Sequence, residues 1–223
     1  MTLATSLDPP PAAARTHAFL LPLSAASDVA SLPPTDIEDA EAEALVPNLR
    51  AEFLARRRLL RQAVALRTGV APGDVLIARD ANGAPRVTSA RQPIFVSLAA
   101  RGGLVAIGIS DRPVGIDVEV IEANTPEPAW NILHPREREW LSKQSVPAQR
   151  GSFLALWCAK EAYLKAIGLG LRREPAEIAV SLADRSNVTL EDTGRPARLD
   201  EAFVTRAEAH GTPAILACVV LAR

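Results

Sequence analysis

The segment Pro113-Val114-Gly115-Ile116-Asp117-Val118-Glu119-Val120 alternates strictly in character. Successive side chains of an extended strand point to opposite faces. Ile116, Val118 and Val120 therefore share one face, and Gly115, Asp117 and Glu119 share the other. The apolar face must lie on a core, which leaves two carboxylates side by side on the opposite face. Such a pair repels unless it is protonated, solvated or bridged by a cation. Two readings follow: an exposed strand with solvated acids, or a cation site. Hard oxygen ligands in small number suit Mg²⁺, which keeps several waters and shares its shell with substrate phosphates.

The 223 residues allow one large domain or two small ones. A net charge of −1 gives no global basic field, so nucleic acid is not expected as a partner. No uninterrupted apolar run approaches the roughly 20 residues of a membrane helix. Met1 to Leu23, with Pro9, Pro10 and Pro11 and a single basic residue, makes a poor signal peptide, so a cytoplasmic protein is expected. Cys158 and Cys218 read as packing thiols, and His17, His134 and His210 form no zinc motif.

Strands are expected over His17–Leu23, Val75–Ala78, Ile94–Leu98, Leu104–Ile109, Val114–Ile121, Ile178–Leu182, Val188–Leu190 and Ala214–Leu221, with a mobile segment before His17. Helices are expected over Asp36–Leu45, from an Asn48 N-cap to Arg67, and over Glu127–Ser142 and Ser152–Ile167. Strand-helix-strand material thus occurs twice, which predicts an α+β chain of two similar halves, divided as residues 1–110 and 111–223. Arg56, Arg57, Arg58 and Arg61 lie around the second helix, either as a solvated face or as a site for phosphate or an acidic partner.

The helix Leu156-Trp157-Cys158-Ala159-Lys160-Glu161-Ala162-Tyr163-Leu164-Lys165 carries the second constellation. Glu161 and Lys165 stand at i and i+4, the favourable order for a helix ion pair. Lys160, one turn after Trp157, falls at the edge of the apolar stripe, where it would be partly shielded from water. Two lysines flanking a carboxylate could serve a phosphate and a metal together.

Gly115-Ile116-Asp117-Val118-Glu119 followed by Trp157-x-x-Lys160-Glu161-Ala162-x-x-Lys165 resembles the paired signature of the 4′-phosphopantetheinyl transferases, and of their larger, surfactin-synthetase-activating type, which has two similar halves related by a pseudo-two-fold. The turn Asn82-Gly83-Ala84-Pro85, the Arg57 helix, His134-Pro135-Arg136-Glu137 and Gly168-Leu169-Gly170-Leu171 resemble further family motifs. The resemblance implies transfer of the phosphopantetheine arm of coenzyme A to a serine of an apo acyl or peptidyl carrier protein, with Mg²⁺ as cofactor, by a monomeric enzyme. By the same resemblance Asp117, Glu119 and Glu161 match the metal ligands, and Lys160 and Lys165 match groups near the coenzyme A phosphates. Arg57 matches a contact to the 3′-phosphate, and Glu137 matches the base for the serine. One departure stands out: Ala99 and Ala100 occupy the positions of a Ser-His pair whose histidine touches the 3′-phosphate. Arg101 or the arginine-rich helix is expected to take over there. The alternative reading is a degenerate homologue that binds a carrier protein, or a different phosphate ligand, without this transfer.

Overall fold

In the computed structural model, which describes residues 2–5, 15–90, 92–122, 127–184, 187–194 and 198–222, one order of elements occurs twice. After a short edge strand β1 (Thr2–Ala4), the first run comprises β2 (Thr16–Pro22), α1 (Asp36–Glu43), the long helix α2 (Pro47–Thr68), the hairpin β3 (Ile77–Arg79) and β4 (Pro85–Val87), then β5 (Phe95–Arg101) and β6 (Leu104–Ser110). The second run repeats it with β7 (Val114–Val120), α3 (Pro135–Ser142), the long helix α4 (Val146–Ala166), the hairpin β8 (Ile178–Asp184) and β9 (Asn187–Asp192), then β10 (Leu199–Ala209) and β11 (Thr212–Leu221). The architecture is therefore α+β, with strand and helix material used twice. The segment expected to be mobile before His17 falls largely on residues 6–14, outside the described residues.

The first run forms a sheet of order β1-β2-β6-β5-β4-β3, and the second a sheet of order β10-β11-β7 with β8-β9 as a separate ribbon. Alternation decides how these layers stack. Ala18 and Leu20 of β2, Ala106 of β6, Ile116 and Val118 of β7 and Leu216 and Cys218 of β11 meet in one buried cluster, so the two sheets pack face to face. On its outer face the first sheet carries α2, through Phe19, Leu21, Ile107 and Ile109 against Leu59, Leu60, Ala63 and Val64. The second sheet carries α4 in the same way, through Ile215, Ala217 and Val219 against Leu156, Ala159, Ala162 and Tyr163. The turn at Arg101-Gly102-Gly103 closes β5 and β6 as expected, with both glycines at positive φ of 54° and 76°.

Some boundaries differ from the sequence reading for local reasons. Thr35 caps α1 in a capping box, its hydroxyl accepting from Glu38 N and the Glu38 carboxylate accepting from Thr35 N. Helix α2 starts at Pro47, one residue before the expected Asn48 cap, because proline at the first helical position gives up no hydrogen bond. Helix α3 begins only at Pro135, behind a His134 cap, and the residues from Trp130 to Ile132 form a 3₁₀ turn. The arginines of α2 are neutralised from within. Arg61 is fully buried against Glu38 at 3.0 Å and donates to Pro33 O and Pro72 O; Arg56 pairs with Glu52, and Arg58 donates to Leu32 O.

Candidate active site

Strand β7 meets helix α4 through its polar face. The reason is Gly115: a Cβ there would overlap the Ala162 carbonyl oxygen and come within 2.6 Å of Ala166 N, so only glycine lets the two backbones touch. Along the same face the next positions, Asp117 and Glu119, then look onto the helix that carries Trp157, Glu161 and Lys165. Lys165 Nζ donates to Asp117 Oδ1 at 2.7 Å and to Ile116 O at 3.1 Å. Glu119 Oε2 is 3.2 Å from Arg101 Nε, and the Trp157 side chain hydrogen-bonds to the same carboxylate. The helix ion pair expected between Glu161 and Lys165 gives way to the Lys165–Asp117 bond, although Lys165 still attracts Glu161.

The electrostatics follow from crowding three acids under partial cover. Burial raises the Glu119 carboxyl above its ordinary range; Arg101 opposes this, and Asp117 adds to it by repulsion. Burial likewise raises Glu161, with Lys165 opposing and Asp117 and Glu119 adding. Beneath them Cys158 is fully buried, and burial together with Asp117 and Glu119 holds its thiol protonated. This cysteine is a packing residue, as its surroundings in the sequence imply.

Among the described residues, the buried oxygens Asp117 Oδ2 and Glu161 Oε1 of this site have no hydrogen-bond partner. An unpartnered buried oxygen of this kind is costly unless something else satisfies it. The donor set is all carboxylate, and it fits a hard divalent cation. The three acids share one strand–helix contact without having converged: among the described residues, no three His, Cys, Asp or Glu side chains form a ready-made metal cluster. Lys165 and Arg101 hold two of the acids instead.

The structure places three expected site residues elsewhere. Lys160 is fully buried, its ammonium 2.7 Å from Glu137 Oε2 and donating to Ile132 O and Pro175 O. It therefore cannot meet a phosphate, and burial lowers its pKa against the pull of Glu137. Glu137 is buried as well, accepting from His134 N at 2.8 Å and Val180 N at 2.7 Å in addition to Lys160. With α3, β8 and α4 all fastened to it, its carboxylate serves as a structural joint. Arg57 is nearly buried, 2.6 Å from Glu41 and stacked over Phe53, so its charge is spent inside the first half. Arg101, by contrast, is largely exposed and reaches the acids through Glu119.

A cavity of about 590 Å³ opens beside the acids, and Lys165 belongs to both. Its walls come from the turn Asn82-Gly83-Ala84-Pro85, from β5 at Val96 to Leu98, from Val114, and from Gly168, Leu169, Gly170 and Arg172 after α4. Asn82 Nδ2 donates to Gly168 O at 3.0 Å, tying the two halves across it. The cavity is thus built at the seam between the repeats. The sequence reading named Trp157 only as a position of the helix signature, without a role, and did not name Arg172. The position of Trp157 one turn before Glu161 was the available signal for the first, and the glycine pair preceding Arg172 for the second.

The family model described as the 4′-phosphopantetheinyl transferase superfamily matches residues 113–218, a segment that includes β7, α4 and nearly all of β11. Among the chain's curated relatives, 4′-phosphopantetheinyl transferase gsp of Aneurinibacillus migulanus is 42% identical over 67 residues, covering 30% of this chain and 28% of the relative. A 4′-phosphopantetheinyl transferase of Bacillus subtilis is 26% identical over 133 residues, covering 60% of this chain and 59% of the relative. 4′-Phosphopantetheinyl transferase HetI of Nostoc sp. is 30% identical over 141 residues, 60% of each. The matched part thus spans less than two thirds of these relatives. A solved holo-(acyl-carrier-protein) synthase from Bacillus anthracis aligns with a TM-score of 0.36 at 19% identity, covering 50% of this chain and 96% of that one.

Proposed function

We propose that this protein transfers the 4′-phosphopantetheine arm of coenzyme A to a serine hydroxyl of an apo acyl or peptidyl carrier protein, releasing adenosine 3′,5′-bisphosphate. The observation that carries the reading is the meeting of Asp117 and Glu119 on β7 with Glu161 and Lys165 on α4, beside a cavity that shares Lys165. Asp117, Glu119 and Glu161 would hold Mg²⁺, which when bound supplies concentrated positive charge for a pyrophosphate.

In this reading the serine oxygen attacks the β-phosphorus, forming a new P–O bond as the bond to the bridging oxygen breaks. The leaving bisphosphate takes the electron pair, and the serine proton passes to water at the site. Lys165 contributes a fixed ammonium to the developing charge, held in place by Ile116 O. Trp157 and Arg101 orient Glu119. Lys160 and Glu137 set the position of α4 relative to α3 and so act on the chemistry only through structure.

The test is incubation with coenzyme A, Mg²⁺ and a panel of apo carrier proteins, read by intact mass. A phosphopantetheine-sized gain on a carrier, abolished by Asp117→Ala and Glu161→Ala proteins that remain folded, is the expected result. No gain on any carrier would favour the degenerate homologue. The chemistry requires no membrane, and none of the described helices is long and apolar enough to cross one. We read the protein as a cytoplasmic monomer.

A further inference from the structure

Ala99 and Ala100, Arg57 and Lys160 leave an unanswered chemical question at the cavity between the repeats: which group meets an anion there. Ala99 is buried between the sheets, Ala100 packs toward α2, and neither carries a donor side chain. Arg57 and Lys160 are buried in ion pairs with Glu41 and Glu137. The cavity itself contains no acidic side chain and two cationic ones, Lys165 and Arg172. Lys165 is committed to Asp117 and to the end where the acids lie.

Arg172 differs from all of these. It is exposed, and among the described residues it has no carboxylate partner; its guanidinium donates from Nη2 to Gly168 O at 3.1 Å. That carbonyl also accepts from Asn82, so the guanidinium is attached to the bond that closes the cavity. A guanidinium offers five N–H donors in a planar fork matched to a phosphate, and most of them are unused here. It follows the Gly168-Leu169-Gly170 segment in the chain and lines the same cavity as Lys165. Val96, Leu98, Val114 and Leu169 supply apolar wall to the same cavity. A ligand that fits this lining carries an apolar or aromatic part and two phosphate groups, one for Lys165 and one for Arg172.

We propose that Arg172 is the specificity-determining residue for the 3′-phosphate of coenzyme A in this protein, doing from the second half what the alanines at 99 and 100 cannot do from the first. The proposal rests on the phosphopantetheinyl-transfer reading. Arg172 selects the nucleotide end and leaves the reacting phosphorus to the acids and Lys165.

The experiment compares coenzyme A with dephospho-coenzyme A, by calorimetric binding and by KM in carrier modification, for the parent, Arg172→Ala and Arg172→Lys. The parent should prefer coenzyme A. Loss of a charge-assisted contact predicts that Arg172→Ala weakens coenzyme A binding by about tenfold or more while dephospho-coenzyme A changes by less than about twofold. Arg172→Lys should recover part of the preference. A merely structural role would weaken both ligands together, and that result overturns the proposal, as does an Arg172→Ala protein that discriminates as well as the parent. In either case a parent that still modifies a carrier leaves the transferase reading standing. A parent that binds neither ligand and modifies no carrier overturns both.

Discussion

Replacing Gly115 by alanine tests the link between packing and chemistry most directly. The added methyl would overlap the Ala162 carbonyl oxygen and sit within 2.6 Å of Ala166 N, and both atoms are helix backbone with no rotamer to yield. Helix α4 would have to withdraw by roughly 1 Å, or β7 would have to buckle. Overpacking of this sort costs about 1–3 kcal/mol, and with nothing flexible in the way we expect the upper end. For a chain of this size each kcal/mol moves Tm by roughly 2–4 °C, so a fall of about 6–12 °C is expected by scanning calorimetry. The same withdrawal stretches the 2.7 Å bond from Lys165 to Asp117 and parts Glu161 from the strand acids. Misplacement by about 1 Å at a reacting site costs on the order of 100-fold in rate, so carrier modification should fall by about that much well below the new Tm. Gly73→Ala is the control, because a methyl there meets nothing within 4 Å. A Gly115→Ala protein that melts and reacts like the parent would refute the packing argument.

Other consequences can be checked with similar effort. Lys160→Met leaves the buried Glu137 without its counter-charge. It should destabilise by about 3–5 kcal/mol in urea titrations, and Lys160→Met with Glu137→Leu should recover much of the loss; a Lys160→Met protein as stable as the parent would restore the lysine to the ligand site. Glu161→Gln removes a carboxylate whose pKa burial has raised from 4.5. A raised acid favours the folded state while protonated and loses that advantage as pH rises through its folded pKa. Glu161→Gln should therefore melt higher than the parent at pH 7 to 8, with the gain fading as pH falls through the raised folded pKa toward 4.5, while its carrier modification is lost. A lower Tm at neutral pH would mean that Lys165 outweighs burial. Thr35→Ala, which breaks the capping box that presents Glu38 to Arg61, should cost about 1 kcal/mol by the same titrations.

The strand face bearing Asp117 and Glu119 was legible in the sequence because period-2 alternation is a local property, and packing of Ile116 and Val118 between the sheets bears it out. The long helix α4 and its apolar stripe were legible for the same reason. Strand β10 was missed because its second half alternates Glu and Arg among small residues, and most of it stays partly exposed on the outside of the second sheet. The arginines of α2 were ambiguous because their partners, Glu38 and Glu41, come from α1 and are fixed only by tertiary packing. Lys160 was misplaced for a related reason. Its helical position suggested an edge, whereas Glu137, Ile132 and Pro175 enclose it from segments far along the chain.

Lys165 has one ammonium and two claims on it. It holds Asp117 Oδ1 and Ile116 O, and it also lines the cavity at the seam. An anion drawn to that ammonium competes with the aspartate for it, and an aspartate so released is a stronger ligand for a cation. Thermodynamic linkage makes such an effect reciprocal: whatever factor the anion gives the cation, the cation returns to the anion. On the proposed function the two halves of the ligand load would be coupled through a single side chain, and titrating either one in the presence of the other measures that coupling.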